Sequence, residues 1–193
     1  MIFFKTRILN QLVLAVLGIA TAAYPFAVYF GIDHYAPSTL VIVLLFIFIL
    51  RFIFAQYYRD TLQWSLLFFI GVFCLIILFT NSMSILRYYP VIISLGAIVI
   101  FTHSLTSHTS MVEKFARIFD TNPSPLRKRY ARNLTKAWVL LLILNAGIAT
   151  YSACCLSMQM WALYNGLLSY ILFGTFVVLE IIFRKHYFKK NNI

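Results

Sequence analysis

The stretch 161–180, WALYNGLLSYILFGTFVVLE, decides the fold. It carries no basic residue, one amide at Asn165 and one acid at its end, Glu180. At 1.5 Å per residue a run of this length covers a hydrocarbon core about 30 Å thick. Unpaired backbone groups cost several kcal/mol each in lipid, and the run lacks the two-residue alternation of a barrel strand, so it reads as a transmembrane helix. Asn165 and Glu180 then lie near opposite surfaces, about 22 Å apart along the axis.

Working outward, six stretches qualify as spans: 8–30, 37–55, 62–80, 86–105, 134–157 and 161–183. The expected fold is all-α, a single membrane domain over 1–193 with six transmembrane helices. The composition agrees, because 62% of the 193 residues are hydrophobic, only 11% are charged, and the mean hydropathy is +0.88. A soluble domain has roughly half and a quarter. Lys5 and Arg7 before an apolar run resemble a signal peptide, but the run is longer than an h-region and continues into TAAYPF, so it reads as an uncleaved first span.

The formal charge of +11 excludes nucleic-acid binding by its placement. With the N-terminus inside, 15 of the 16 cations fall in inner segments, and only Arg87 falls outside. Both termini are therefore expected in the cytoplasm. The short connections IDHYAPS and NSMSIL hold consecutive helices as hairpins. The long loop, 106–133, is cytoplasmic. In it MVEKFARIF sets Met111, Phe115 and Ile118 with Val112 and Phe119 against Glu113, Lys114 and Arg117, the pattern of an interfacial helix. TNPSP then breaks the helix, and LRKRYAR provides a basic patch, Arg127, Lys128, Arg129 and Arg132, for anionic headgroups or as a solvated linker.

Intramembrane polar residues warrant a functional hypothesis. Trp138, Asn145 and Ser152 share one stripe at sevenfold spacing, flanked by Ala149; Ala162, Ser169, Phe173 and Glu180 share another, with Gly166 nearby. A tight hairpin places Asn145 at the level of Phe173 and Gly174, and Glu180 at that of Trp138. Asn145 reads either as helix-packing glue or as a substrate contact. Glu180 pairs with Arg184 at i+4, or else serves as a carboxylate at the inner mouth. Lys136 points away from Asn145 and snorkels. On the outer side Tyr24, Tyr29, Asp33, His34, Arg87, Tyr89 and Asn165 gather. Asp33 and Arg87, the only outer acid and cation, are a natural pair; the tyrosines fit an aromatic belt or a ligand site. Pro25 is expected to bend its span, and Pro90 to start one.

Catalytic patterns are poor. Cys74, Cys154 and Cys155 form no C-x-x-C pair and read as small hydrophobes. His103 and His108 stand five apart, which does not place both rings on one helix face. No metal site, cofactor or nucleophile–base pair is expected.

YYPVIISLGAIVIFTHSL (88–105), MVEKFARIFD (111–120), RNLTKAWVLLLILNAGIA (132–149), WALYNGLLSYILFGTFVVLE (161–180) and AAYPFAVYFG (22–31) together resemble an uncharacterised family of small bacterial inner-membrane proteins encoded with aryl-polyene or fatty-acid-synthase-like clusters. The second half is also distantly similar to the septation protein A family. In the first family the matched positions are Tyr89, Pro90, Val112, Glu113, Lys114, Trp138, Asn145, Trp161, Tyr164, Asn165, Gly166 and Glu180. Ser94, Ala146 and Leu179 depart from its usual Asn, Gly and Gly. The resemblance implies an envelope-lipid context. The first expectation is a non-enzymatic component supporting assembly or export of an aryl-polyene or acyl-type envelope lipid, with membrane lipids and cytoplasmic lipid or polyene synthases as partners. The alternative is a small transporter or flippase using Asn145, Asn165 and Glu180; an enzyme ranks third.

Overall fold

The computed structural model describes residues 2–31, 34–54, 61–117 and 122–190, and among these every regular element is a helix. Three long, apolar stretches are sufficient to cross a membrane: Met83–Thr106, Pro125–Cys155 and Met158–Lys189. Asp33, Arg59, Ile118 and Phe119 lie outside the described residues.

Helix α1 (Ile2–Gly31) contains Pro25, and α2 (Pro37–Phe54) opens on a proline whose missing N–H belongs to the first turn. Helix α3 (Thr61–Thr80) stops at Asn81, the one non-glycine residue with positive φ (45°) among the described residues. Asparagine tolerates this left-handed geometry. Its N–H donates to the Ile77 carbonyl at 2.8 Å, while its side-chain oxygen accepts from the Ser38 N–H at 3.0 Å. One residue thus ends α3 and satisfies an orphan donor of α2.

The short α4 (Met83–Leu86) is capped by Ser82, and α5 (Tyr89–Thr106) has Pro90 in its first turn. Helix α6 (Met111–Ala116) is tied down through its backbone: Met111 N–H donates to Ser104 Oγ (2.9 Å) and Val112 N–H to Thr135 Oγ1 (3.3 Å). Helix α7 (Pro125–Cys155) begins nine residues before the expected 134. Ser124 accepts from the Arg127 N–H, and Pro125 stands at the first helical position. SPL is therefore a helix start, and the basic stretch is helical. After a Ser157 cap, α8 (Met158–Leu163) runs into a wide π turn over Tyr164–Leu168 and then α9 (Ser169–Lys190).

The most extensive helix pair is α5 with α7, and α1 packs on α2, α8 and the π turn. The apolar core lies at the α8 end of the bundle, where Tyr24, Val28, Leu44, Ile77, Leu86 and Trp161 are almost fully enclosed. Elsewhere the helices face outward with apolar side chains. Phe79 is 86% exposed, and Leu179, Ile182 and Phe183 on α9 are each about 60% exposed. A helix apolar all round and not enclosed by protein needs lipid around it.

Candidate functional site

Two polar constellations stand out. The first is a seam along α7 facing α5, α8 and the π turn. Ala146, Ala149 and Ala153 allow close approach, and between them Asn145 and Ser152 are buried. Asn145 Nδ2 donates to Ser94 Oγ on α5 (3.2 Å), and its Oδ1 accepts from the Tyr164 hydroxyl (3.0 Å). About two turns further along α7, Asn165 Nδ2 donates to Ser152 Oγ (3.0 Å) and to the Trp161 carbonyl (2.9 Å). Ser152 Oγ donates to the Ala149 carbonyl, and Ser169 Oγ to that of Asn165. Asn145 uses both ends of its amide on neighbouring helices, and Asn165 ties the wide turn to α7. That is the chemistry of packing glue.

The α8 end of the seam is closed by Arg87. Its Nη2 donates to the Ser152 carbonyl (2.9 Å) and the Leu156 carbonyl (2.5 Å), so the guanidinium caps the C-terminus of α7, where helix carbonyls lack partners. The Trp161 indole donates to the Arg87 carbonyl (2.9 Å). Tyr24, Tyr89 and Trp161 meet edge to face at 4.7 and 6.1 Å, and the Tyr24 hydroxyl donates to the Leu40 carbonyl (2.8 Å). Tyr24 and Tyr89 are therefore core, with Arg87 tied to them through Trp161 and, like Tyr29, half-buried at the margin. Asp33, the expected partner of Arg87, lies outside the described residues.

The second constellation is at the α6 end. Glu180 Oε1 accepts from the Tyr130 hydroxyl (3.1 Å) and lies 3.5 Å from Arg184 Nε. The reading from hairpin depth set Glu180 opposite Trp138, but Trp138 instead packs on Phe173, Phe176 and Phe101. The register of α9 against α7 is shifted by about two turns from that reading, and α7 starts early enough to carry Tyr130, whose hydroxyl reaches Glu180. The Tyr130 ring lies 5.3 Å from both Tyr187 and Phe188, and the Arg127 guanidinium sits 5.6 Å over Phe188.

Helix α6 turns differently from the expected wheel. Glu113 is buried and Phe115 is 54% exposed. Glu113 Oε1 accepts from Arg117 Nη2 (2.7 Å) and Nε (3.1 Å), so the carboxylate enters the protein already paired. Of the basic patch, Lys128 and Arg129 are exposed on α7. Arg132 donates to the carbonyls of Leu105 and Ser107 and caps α5.

Between α7 and α9 the backbones stand apart, and aromatic rings span the gap. Two cavities follow. An open groove of about 480 Å³ runs over Leu134, Ala137, Phe176, Leu179 and Phe183 to Tyr130 and Glu180. A recess of about 210 Å³ beyond it is walled by Glu113, Arg127, Glu180 and Arg184. Tyr130, Leu134 and Glu180 line both. Reading the sequence missed this junction, because Tyr130 and Glu180 are fifty residues apart. The available signal was the aromatic spacing Phe183, Tyr187 and Phe188 on α9. Among the described residues no group of three acidic, histidine or cysteine side chains could hold a metal ion. No family model, no curated protein and no solved structure matches this chain, so its own residues carry the functional argument.

Proposed function

We propose that this is a six-span protein of the bacterial inner membrane, with both termini cytoplasmic, which supports assembly or export of an acyl- or aryl-polyene-type envelope lipid without catalysing a reaction. The charge asymmetry supports the orientation: 15 of 16 cations belong to the side that carries α6 and the α7 N-terminus. The short lengths of α2 and α3, 18 and 20 residues, fit bilayer crossings with little tilt.

The observation that carries the functional reading is the continuity of an apolar groove with a charged recess at the cytoplasmic end. It offers an acyl chain and a headgroup separate surroundings at the level where a cytoplasmic synthase would deliver its product. The exposed cations Lys128 and Arg129, on the first turns of α7, present the face on which such a synthase docks. The transport reading routes substrate along Asn145, Asn165 and Glu180. Against it stands the seam, where both asparagines are committed to neighbouring helices.

The test is quantification of the envelope lipid or pigment in inner and outer membrane fractions. Neutralising Arg127, Lys128 and Arg129 together lowers the product while Glu180→Gln is tolerated. The reverse pattern, at equal protein level, replaces this reading with the transporter. A deletion strain with every envelope lipid in its normal place refutes both.

A further inference from the structure

The structure assigns the paired cavities at the α6 end as one binding site for an anionic lipid drawn from the inner leaflet, its acyl chain in the α7/α9 groove and its headgroup in the adjoining recess. This rests on the membrane orientation proposed above and names the ligand class of that end of the bundle.

Volume and lining agree. The groove, at about 480 Å³, falls within the range of 300–1,000 Å³ typical of ligand sites, and its walls are hydrocarbon and aromatic apart from its Tyr130–Glu180 end and Asn133. Leu179 and Phe183 stand about 60% exposed along its rim, so it opens sideways to the bilayer rather than to water. Charge gathers in the recess, with Glu180 at its junction with the groove. The recess walls hold Arg127 and Arg184 with Glu113 and Glu180, and Arg117 reaches Glu113 from outside. Three guanidinium groups thus face two carboxylates.

Glu113 Oε1 already accepts two N–H donors of Arg117. Glu180 shares one oxygen between Tyr130 and Arg184. The balance is positive, and Arg184, whose side chain is 48% exposed at a 3.5 Å contact, can turn from Glu180 to a phosphate oxygen at little cost. Guanidinium groups suit this because two N–H donors match two phosphate oxygens. Tyr130 marks the boundary: its hydroxyl is on the headgroup side and its ring on Tyr187 and Phe188.

The probe is phosphatidylglycerol with a diazirine in one acyl chain, compared with the same label on phosphatidylcholine. The full chain is reconstituted in nanodiscs of unlabelled phosphatidylcholine, and adducts are mapped by mass spectrometry. Phosphatidylglycerol should label α7 and α9 around Ala137 and Leu179 in preference to phosphatidylcholine. Arg127→Gln and Arg184→Gln should each cut that preference about fivefold, the effect of one cation at an anionic surface.

Ala137→Trp fills the groove and should remove the label from both lipids with an unchanged unfolding midpoint. Should that variant fail to fold, Leu179→Trp at the exposed rim makes the same test. Equal labelling by both lipids, adducts spread evenly over the lipid-facing helices, or crosslinks between two copies through α9 overturn the assignment. Failure of selective labelling with a persisting lipid defect in the deletion strain removes the site and leaves the proposed function. Selective labelling with no such defect does the opposite.

Discussion

Asn145 is the sharpest test of whether the seam is packing or pathway. Its side chain is 6% exposed and makes two hydrogen bonds, donating to Ser94 at 3.2 Å and accepting from Tyr164 at 3.0 Å. Side-chain hydrogen bonds between membrane helices contribute about 0.6 kcal/mol on average and about 1.7 at most. Asn145→Ala should therefore destabilise the protein by about 1–3 kcal/mol. The pairwise part is isolated by adding Tyr164→Phe, which removes the same hydrogen bond from the other side. The double variant should lose less than the two singles together, by about 0.6–1.7 kcal/mol. Equilibrium unfolding in mixed micelles, followed by tryptophan fluorescence, gives these values, because Trp138 and Trp161 both lie on this face of the bundle. A coupling below about 0.3 kcal/mol, the scatter of independent sites, refutes the bond as a source of stability. So would an Asn145→Leu protein as stable as the wild type that no longer delivers product.

Three further outcomes follow from the same geometry. Arg87→Met leaves the Ser152 and Leu156 carbonyls without their charged donor and should cost about 2 kcal/mol or more, seen as a lowered melting temperature that Arg87→Lys restores only in part. Gly166→Ala places a methyl 2.6 and 2.7 Å from the Phe26 ring and should cost about 1–3 kcal/mol. The smaller Phe26→Leu should recover much of that loss in the double variant, and an additive result would contradict the contact. Glu180→Gln removes a 3.5 Å contact with the half-exposed Arg184 from a largely enclosed carboxylate but keeps an acceptor for Tyr130, so the unfolding free energy should change by less than about 1 kcal/mol. A larger loss would show that the pair holds α9 in place.

The helices were legible because a lipid-crossing segment must be long and apolar, and runs such as 86–105 and 161–183 satisfy that without reference to anything else. Pro25 within α1 and Pro90 at the start of α5 could likewise be placed from local rules. The beginning of α7 could not be placed by hydropathy, since LRKRYARN is as polar as a loop. Its signal was the Ser124–Pro125 cap, which the adjacent Pro123 disguised as a breaker. Glu113 was misplaced for another reason. A six-residue helix is oriented by what it docks on, here Ser104 and Thr135, rather than by its own amphipathicity. Asn145 and Ser152 were identifiable as one stripe, whereas their partners Ser94 and Tyr164 depend on how α5 and the π turn approach α7.

The wide turn at Tyr164–Leu168 works as a phase adjuster. Trp161, Asn165 and Ser169, all at least 94% enclosed, follow one another at intervals of four, and Phe173 continues the series. In a helix of 3.6 residues per turn three such steps drift by about 120°, enough to swing the last member out of the seam. The π turn, with its i+5 hydrogen bonds, takes up much of that drift. Winding the same five residues as an ordinary α-helix would rotate everything beyond them by up to about 100°, one residue's turn. Glu180 would then face away from Tyr130 although no residue at either position had changed, and the two cavities would lose their shared wall.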